Sequence, residues 1–134
     1  MLSIKKSQIP SAGQGLWAEK DFKRGEIIIK YDGERISWKE CERRNMAQEG
    51  YGCYYLFISK NKCIDAQYTT WAQGRYANDA AGLIRKEGLR NNAKYEIIKG
   101  EAFIKASRNI KAGEEIFVSY GRGYWNTLRK VLMN

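Results

Sequence analysis

The sequence of 134 residues contains no histidine, one proline and three cysteines. The cysteines, Cys41, Cys53 and Cys63, show no Cys-x-x-Cys spacing, and no histidine is present to complete a set of metal ligands. Structural zinc sites use clustered cysteine or histidine ligands, and disulfide frameworks use paired cysteines. These absences argue against a structural metal site and a disulfide framework, and they predict free thiols in a reducing compartment.

The chain also begins without a long apolar run. Residues 1–6 contain nothing of the length that a signal peptide or a membrane span requires. We therefore expect a soluble, intracellular protein, in the cytoplasm or the nucleus depending on its source, with no membrane contact. Hydrophobic residues make up 43% of the sequence and aromatic residues 13%, which favours one folded domain over residues 1–134 rather than a disordered chain.

Basic residues outnumber acidic residues, and the formal net charge is +9. A surface of this charge attracts phosphates, nucleic acid or acidic proteins. The basic residues are spread along the chain in runs of no more than two, which does not indicate a basic tail. Two interpretations stay open: a diffuse solvated coat, or a surface that binds nucleic acid or a nucleosome.

Short runs of β-branched and aromatic residues alternate with turn residues along the chain. Five of these runs have the composition of strands: residues 27–31, 54–59, 63–66, 97–98 and 103–106. The first predicts a buried strand, and the second and third predict a hairpin with a polar turn. Ser37 and Glu40 match a capping box that opens a polar helix, which Gly50 would end. The pattern favours a mostly β domain of small sheets with short helices.

Four short motifs follow one another along the chain. They are Gly13-Gln14-Gly15-Leu16, Tyr54-Tyr55-Leu56-Phe57 with Ile64-Asp65-Ala66, Gly74-Arg75-Tyr76-Ala77-Asn78-Asp79, and Glu114-Glu115-Ile116-Phe117-Val118-Ser119-Tyr120-Gly121. In this order they resemble the SET domain, a family that transfers a methyl group from S-adenosylmethionine to a lysine side chain of a protein, histones included.

The resemblance covers about residues 4–125, and residues 121–134 are expected to form a short C-terminal closure. It is most similar to the compact, zinc-free SET proteins of large viruses. It implies a SET-domain-like β-clip, in which small curled sheets surround a C-terminal segment threaded beneath a loop.

The resemblance also implies a cofactor site for S-adenosylmethionine. The turn of Gln14, Gly15 and Leu16 would wrap the methionine end of the cofactor, chiefly through backbone groups, where glycine allows close approach. Asn78 would hold the adenine ring through its side chain and Asp79 through its backbone. Asp79 stands where the family usually has histidine, so it would add a carboxylate near the cofactor.

Two further residues have two interpretations each. Arg75 matches the family arginine, which either contacts the cofactor carboxylate or braces the fold. Trp125 either stacks on the adenine or packs as a core tryptophan.

The same resemblance assigns the reaction site to tyrosines. Tyr120 matches the catalytic tyrosine of the family. Tyr55 falls on the tyrosine that lines the lysine channel, and Tyr54, one position away, is the second channel candidate; core packing is the alternative for both. Val118 occupies the position where a larger aromatic residue limits methylation in relatives, so the smaller side chain predicts di- or trimethylation.

The region after Asn78 departs from the family pattern. Residues 83–88 read as a surface loop extension. After this extension, Asn92 takes the place of the family asparagine, and Asn91 stands where proline is expected.

Three functions remain possible from the sequence. The leading one is a protein-lysine N-methyltransferase whose partner is a protein with a target lysine. The others are a catalytically inactive SET-like module that binds a protein or nucleic acid, and a basic β-rich nucleic-acid binder. Residues 127–132 are expected to form a short helix that packs on the domain or on the second subunit of a homodimer.

Overall fold

The computed structural model describes residues 1–37, 39–40, 43, 55–59, 62–66, 69–82 and 84–120, with residues 55–59 described by their backbone only. Residues 39–40 and 43 of this set are α-helical, and the others include nine short strands and one 3-10 helix. In chain order they are β1 (Leu2–Lys6), β2 (Gln14–Ala18), β3 (Ile27–Lys30), β4 (Glu34–Ile36), β5 (Tyr55–Ser59), β6 (Lys62–Asp65), the 3-10 helix η1 (Gln73–Tyr76), β7 (Ala93–Ile98), β8 (Glu101–Ala106) and β9 (Glu115–Ile116). The strands make three small antiparallel sheets, which confirms the predicted mostly β domain of small sheets.

The first sheet has the order β1-β2-β9 and joins the N-terminal turn to the C-terminal motif. Leu16, at its centre, pairs with Ile4 on one side and Ile116 on the other, and its side chain is fully buried. The turn between β1 and β2 closes with a 2.8 Å hydrogen bond from Ser7 N to Gly13 O. Gly13 has a φ of 73°, in the left-handed region that glycine adopts without a steric cost.

The second sheet has the order β3-β8-β7. In β8 every second side chain is buried, because successive residues of a strand point to opposite faces. Strand β3 differs from the expected buried strand: Ile27 is exposed and residues 28–30 are half-buried. The reason is its position at the edge of the sheet, where one face and one side meet solvent.

The third sheet has the order β4-β6-β5 and contains the predicted hairpin. Its central strand, β6, buries Cys63, Ile64 and Asp65. The start of the predicted helix also agrees with the structure, because the backbone N–H of Glu40 donates to Ser37 Oγ over 3.1 Å. The end expected at Gly50 lies outside the described residues.

Buried side chains from all three sheets and from the segment after β9 form the main core. That segment runs parallel to two others: Phe117 bridges Asn78, and Val118 bridges Ala93. The chain therefore threads residues 117–118 between two earlier segments, which places the last described motif beside the motif of residues 74–79.

Two absences can be stated for the described part of the chain. None of its helices is long and apolar enough to cross a membrane. Within the same residues, no group of three or more acidic or cysteine side chains is arranged to hold a metal ion. Cys63 is buried and forms no disulfide, whereas Cys41 and Cys53 lie outside the described residues.

Candidate functional site

Asn78 is the point at which three motifs meet. Its side-chain Nδ2 donates to Gln14 O over 2.9 Å, which ties it to the glycine turn. Its backbone oxygen accepts from Val118 N over 2.8 Å, which ties it to the threaded segment. With Nδ2 engaged in this way, the carboxamide oxygen of Asn78 makes no hydrogen bond within the described residues. The motifs therefore converge in space although they are far apart in sequence.

Tyr120 lies half-buried next to this junction. Its hydroxyl donates to Ala77 O over 2.6 Å, and its backbone N–H donates to Asp79 Oδ2 over 2.9 Å. A tyrosine hydroxyl has one proton, and the bond to Ala77 uses it. Toward a bound molecule the Tyr120 oxygen can therefore act only as a hydrogen-bond acceptor.

The side chain of Asp79 is buried and lies in a hydrogen-bond network with the protein itself. Its Oδ1 accepts from Ala81 N and from Asn91 Nδ2, each over 2.8 Å, and its Oδ2 accepts from Tyr120 N. Asn91 in turn accepts from Ala80 N over 2.8 Å. The sequence suggested that this carboxylate would lie near the cofactor, but it forms hydrogen bonds to the protein itself. The backbone of Asp79 stays a predicted cofactor contact.

Asn92 holds the threaded segment in place. Its Nδ2 donates to Glu115 O over 3.0 Å, and its Oδ1 accepts from Phe117 N over 2.8 Å. Its own backbone N–H donates to Phe117 O over 3.0 Å, and the residue is buried. These contacts give Asn92 a structural role in holding residues 115–117.

Glu115 ties the glycine turn to β9. Its buried carboxylate accepts from Ser7 Oγ over 2.7 Å and from Gln8 N over 2.8 Å. A Cβ atom built on Gly15 would lie only 2.2 Å from Glu115 Oε2 and 3.2 Å from Ser7 Cβ. Gly15 is therefore required by the Glu115 carboxylate, a reason for glycine that the sequence pattern did not reveal.

We expect Gly15→Ala to lower the free energy of unfolding by about 2–3 kcal/mol, because the new methyl group forces the carboxylate from its hydrogen bonds or shifts β2. Chemical denaturation measures this loss. Glu115→Ala should also destabilise, and the double variant should lose less than the sum of the two, since both changes act on one contact. Strictly additive losses of stability would show that residue 15 must be glycine for a reason other than the Glu115 carboxylate.

The structure also describes the side chains of three further candidate site residues. Leu16 and Val118 are fully buried, so a contact between Leu16 and a cofactor would have to come from its backbone. Arg75 is half-buried in η1, with its guanidinium 5.3 Å from the Tyr76 ring centroid, and both of its proposed roles stay predictions.

The description of the channel candidates is partial. Tyr55 is known by its backbone, which pairs with Asp65 across the hairpin. Tyr54 and Trp125 lie outside the described residues. Their assignments to the lysine channel and the adenine stay predictions.

Sequence reasoning missed the side-chain roles of Asp79 and Asn91. Their contacts connect residues 12 and 41 positions apart in the chain, beyond the reach of turn and strand patterns. The only sequence signal was the departure from the family at these two positions.

The residues at the junction fit S-adenosylmethionine. Asn78 presents a carboxamide oxygen that suits the amino group of adenine, and the neighbouring Gln14 is exposed. Gly13 has no atoms within 4 Å of its Cβ position, so this side of the turn is open to an approaching ligand.

Comparison with known proteins gives one family. The SET domain matches residues 13–121. The chain is 33% identical over 125 residues to the N-lysine methyltransferase KMT5A of Xenopus tropicalis. This alignment covers 88% of this chain and 36% of the relative. It is 34% identical over 117 residues to the histone-lysine N-methyltransferase Set8 of Drosophila melanogaster. This alignment covers 81% of this chain and 16% of the relative.

Solved structures agree with the sequence comparison. The crystal structure of the Chaetomium thermophilum polycomb repressive complex 2 contains a chain that superposes with a TM-score of 0.76 at 28% identity, over 94% of this chain and 16% of that one. This chain thus spans about a third or less of the length of the relatives it matches.

Proposed function

The chain belongs to the SET-domain family, and we propose that it transfers a methyl group from S-adenosylmethionine to the side-chain amine of a lysine in a protein substrate. The observation that carries this proposal is the position of Tyr120, whose hydroxyl is fixed to Ala77 O beside the junction at Asn78. A candidate catalytic tyrosine and a candidate cofactor-binding residue are therefore neighbours.

The cofactor would be held by the residues at the junction. Asn78 would accept from the adenine amino group, with Asp79 contributing its backbone, and the turn of Gln14, Gly15 and Leu16 would bind the methionine end. When bound, the cofactor supplies a methyl group made electrophilic by a positively charged sulfur. Arg75 and Trp125 complete the proposed set.

The chemistry requires a neutral lysine nitrogen. Its lone pair forms the new N–C bond while the S–C bond breaks, and the proton of the resulting ammonium passes to water. Neutralising a lysine of pKa about 10.4 at pH 7 costs about 4–5 kcal/mol. A desolvating channel lined by Tyr55 and Tyr54 would lower this cost.

Tyr120 would orient the nitrogen. Because its hydroxyl proton is used by Ala77 O, its oxygen accepts an N–H of the amine and leaves the lone pair directed at the methyl group. No histidine base is needed, in agreement with a chain that has none.

We expect wild-type protein to bind S-adenosylmethionine in calorimetric titration and Asn78→Ala to weaken the binding about 10-fold, because the variant loses its adenine contact and its tie to Gln14. Asn109→Ala is the matched control, since Asn109 is exposed and contacts Arg24 N at another part of the surface. Equal affinities for wild type and Asn78→Ala would remove Asn78 from the cofactor site. Wild type that binds no cofactor, even with histone and ribosomal protein mixtures present, would favour the inactive module.

A histone is the first substrate to test, because the names of several relatives specify histone-lysine methyl transfer. We propose that the basic surface contacts nucleic acid or a nucleosome while the lysine enters the channel. Mass spectrometry of histones incubated with enzyme and cofactor identifies the lysine. The same spectra count the methyl groups added beside Val118, for which we expect two or three.

The inactive-module interpretation rested partly on Asp79 replacing histidine. The hydrogen bonds of the Asp79 carboxylate account for this replacement within an ordered site. We therefore favour the enzyme.

A further inference from the structure

Asp79 connects the candidate cofactor-binding motif to the candidate catalytic tyrosine. Within the described part of the chain, N–H groups of Ala81, Asn91 and Tyr120 converge on its carboxylate at distances of 2.8–2.9 Å. The side chain is buried, with 5% of its surface exposed, so these hydrogen bonds form away from competing water.

Only an acceptor with two oxygens can satisfy these donors. An ionised carboxylate accepts at both oxygens and donates nothing, whereas a neutral imidazole has a single acceptor nitrogen. A histidine at this position would therefore be unable to accept from all three groups. The simultaneous binding of all three groups, Tyr120 N included, therefore depends on the aspartate that this chain carries.

The tie acts on a residue that is held at two points. Asp79 holds the backbone N–H of Tyr120, and Ala77 O holds the hydroxyl at the far end of the same side chain. Ala77 and Asp79 are the chain neighbours of Asn78. Both ends of Tyr120 are therefore fixed in position relative to Asn78, the candidate cofactor-binding residue. Fixing both ends sets the direction in which the hydroxyl oxygen presents its lone pairs.

We infer that Asp79 is a positioning residue, which holds Tyr120 in the orientation needed for methyl transfer. This inference rests on the proposed function. A misplacement of reacting groups by about 1 Å can cost roughly 10²-fold in rate. Asp79 acts through Tyr120 and through no contact of its own side chain with substrate.

The variant Asp79→Asn tests this role with little change in shape. Its carboxamide keeps one acceptor oxygen, which can retain the hydrogen bonds from Ala81 N and Asn91 Nδ2, and turns an NH₂ group toward Tyr120 N–H. We expect kcat to fall about 10-fold or more, with the dissociation constant for S-adenosylmethionine within about twofold of wild type.

Asn91→Ala is the matched control. It removes a partner of Asp79 Oδ1 and leaves the bond from Tyr120 N to Oδ2 in place. The control should lose stability without the loss of kcat. An equal fall of kcat in both variants would assign the effect to general loosening and overturn the inference.

A double-mutant cycle with Tyr120→Phe separates positioning from structure. If Asp79 acts through the Tyr120 hydroxyl, Asp79→Asn lowers kcat in wild type and has no further effect in the Tyr120→Phe background. Independent, multiplicative losses would contradict the proposed route.

Amide hydrogen exchange tests the tie without turnover. Exchange at Tyr120 N–H should accelerate in Asp79→Asn and stay near the wild-type rate in Asn91→Ala. Unchanged exchange in Asp79→Asn would overturn the inference even if wild type showed no methyl transfer. A wild type without turnover, in contrast, would overturn the proposed function.

Discussion

Tyr120→Phe is expected to lower kcat for methyl transfer by about 10²–10³-fold, because the oxygen that we propose orients the lysine nitrogen is lost while the ring remains. The dissociation constant for S-adenosylmethionine should stay within about twofold of wild type, since the hydroxyl donates to Ala77 O and is not among the groups proposed to bind the cofactor. Steady-state kinetics on the identified substrate and calorimetric titration measure the two quantities.

Tyr76→Phe is the matched control for this variant. The Tyr76 hydroxyl also donates to a backbone carbonyl, that of Thr70, over 3.0 Å. Both variants therefore lose one hydrogen bond of the same kind, worth about 1 kcal/mol of stability. A comparable fall in kcat for the two variants, or full activity in Tyr120→Phe, would remove Tyr120 from the catalytic role.

Asn92→Ala is expected to have the largest effect on stability, about 3 kcal/mol, because it leaves Glu115 O and Phe117 N buried without their side-chain partner. For a domain of this size the loss corresponds to roughly 10 °C in Tm. Denaturant unfolding and thermal unfolding measure the two quantities. Asn109→Ala, at an exposed position, should change stability by no more than about 1 kcal/mol.

Asn92→Asp extends the test to the donor side of the same residue. The ionised carboxylate can still accept from Phe117 N and can no longer donate to Glu115 O. Protonation restores a donor, so the stability deficit relative to wild type should shrink as the pH falls. A deficit that is independent of pH would show that the bond to Glu115 O contributes little.

Much of the local structure could be predicted from the sequence. The hairpin of β5 and β6, the helix start at Ser37 and the mostly β class depend on turn chemistry and strand composition, which act over a few residues. The edge position of β3 could not be predicted, because its neighbours are set by sheet order. Its run of isoleucines is equally compatible with a central strand.

The candidate site was predicted as a set of residues and not as an arrangement. The motif order identified Asn78 and Tyr120 by resemblance, and the structure brings them to one junction. The roles of Gly15 and of the Asp79 side chain emerged only from contacts. The sequence pattern around Gly15 is the same whether the space beside this glycine holds a ligand or the side chain of Glu115, which is 100 positions away.

The sequence alone determined the family, five of the strand segments in outline and the residues to test, because these depend on local composition and on motif order. Tertiary structure decided that Glu115 occupies the space beside Gly15 and that Asp79 holds Tyr120. These contacts join residues that are 100 and 41 positions apart in the chain. Such pairings are set by how the small sheets pack and by where the chain threads, and no local pattern encodes them.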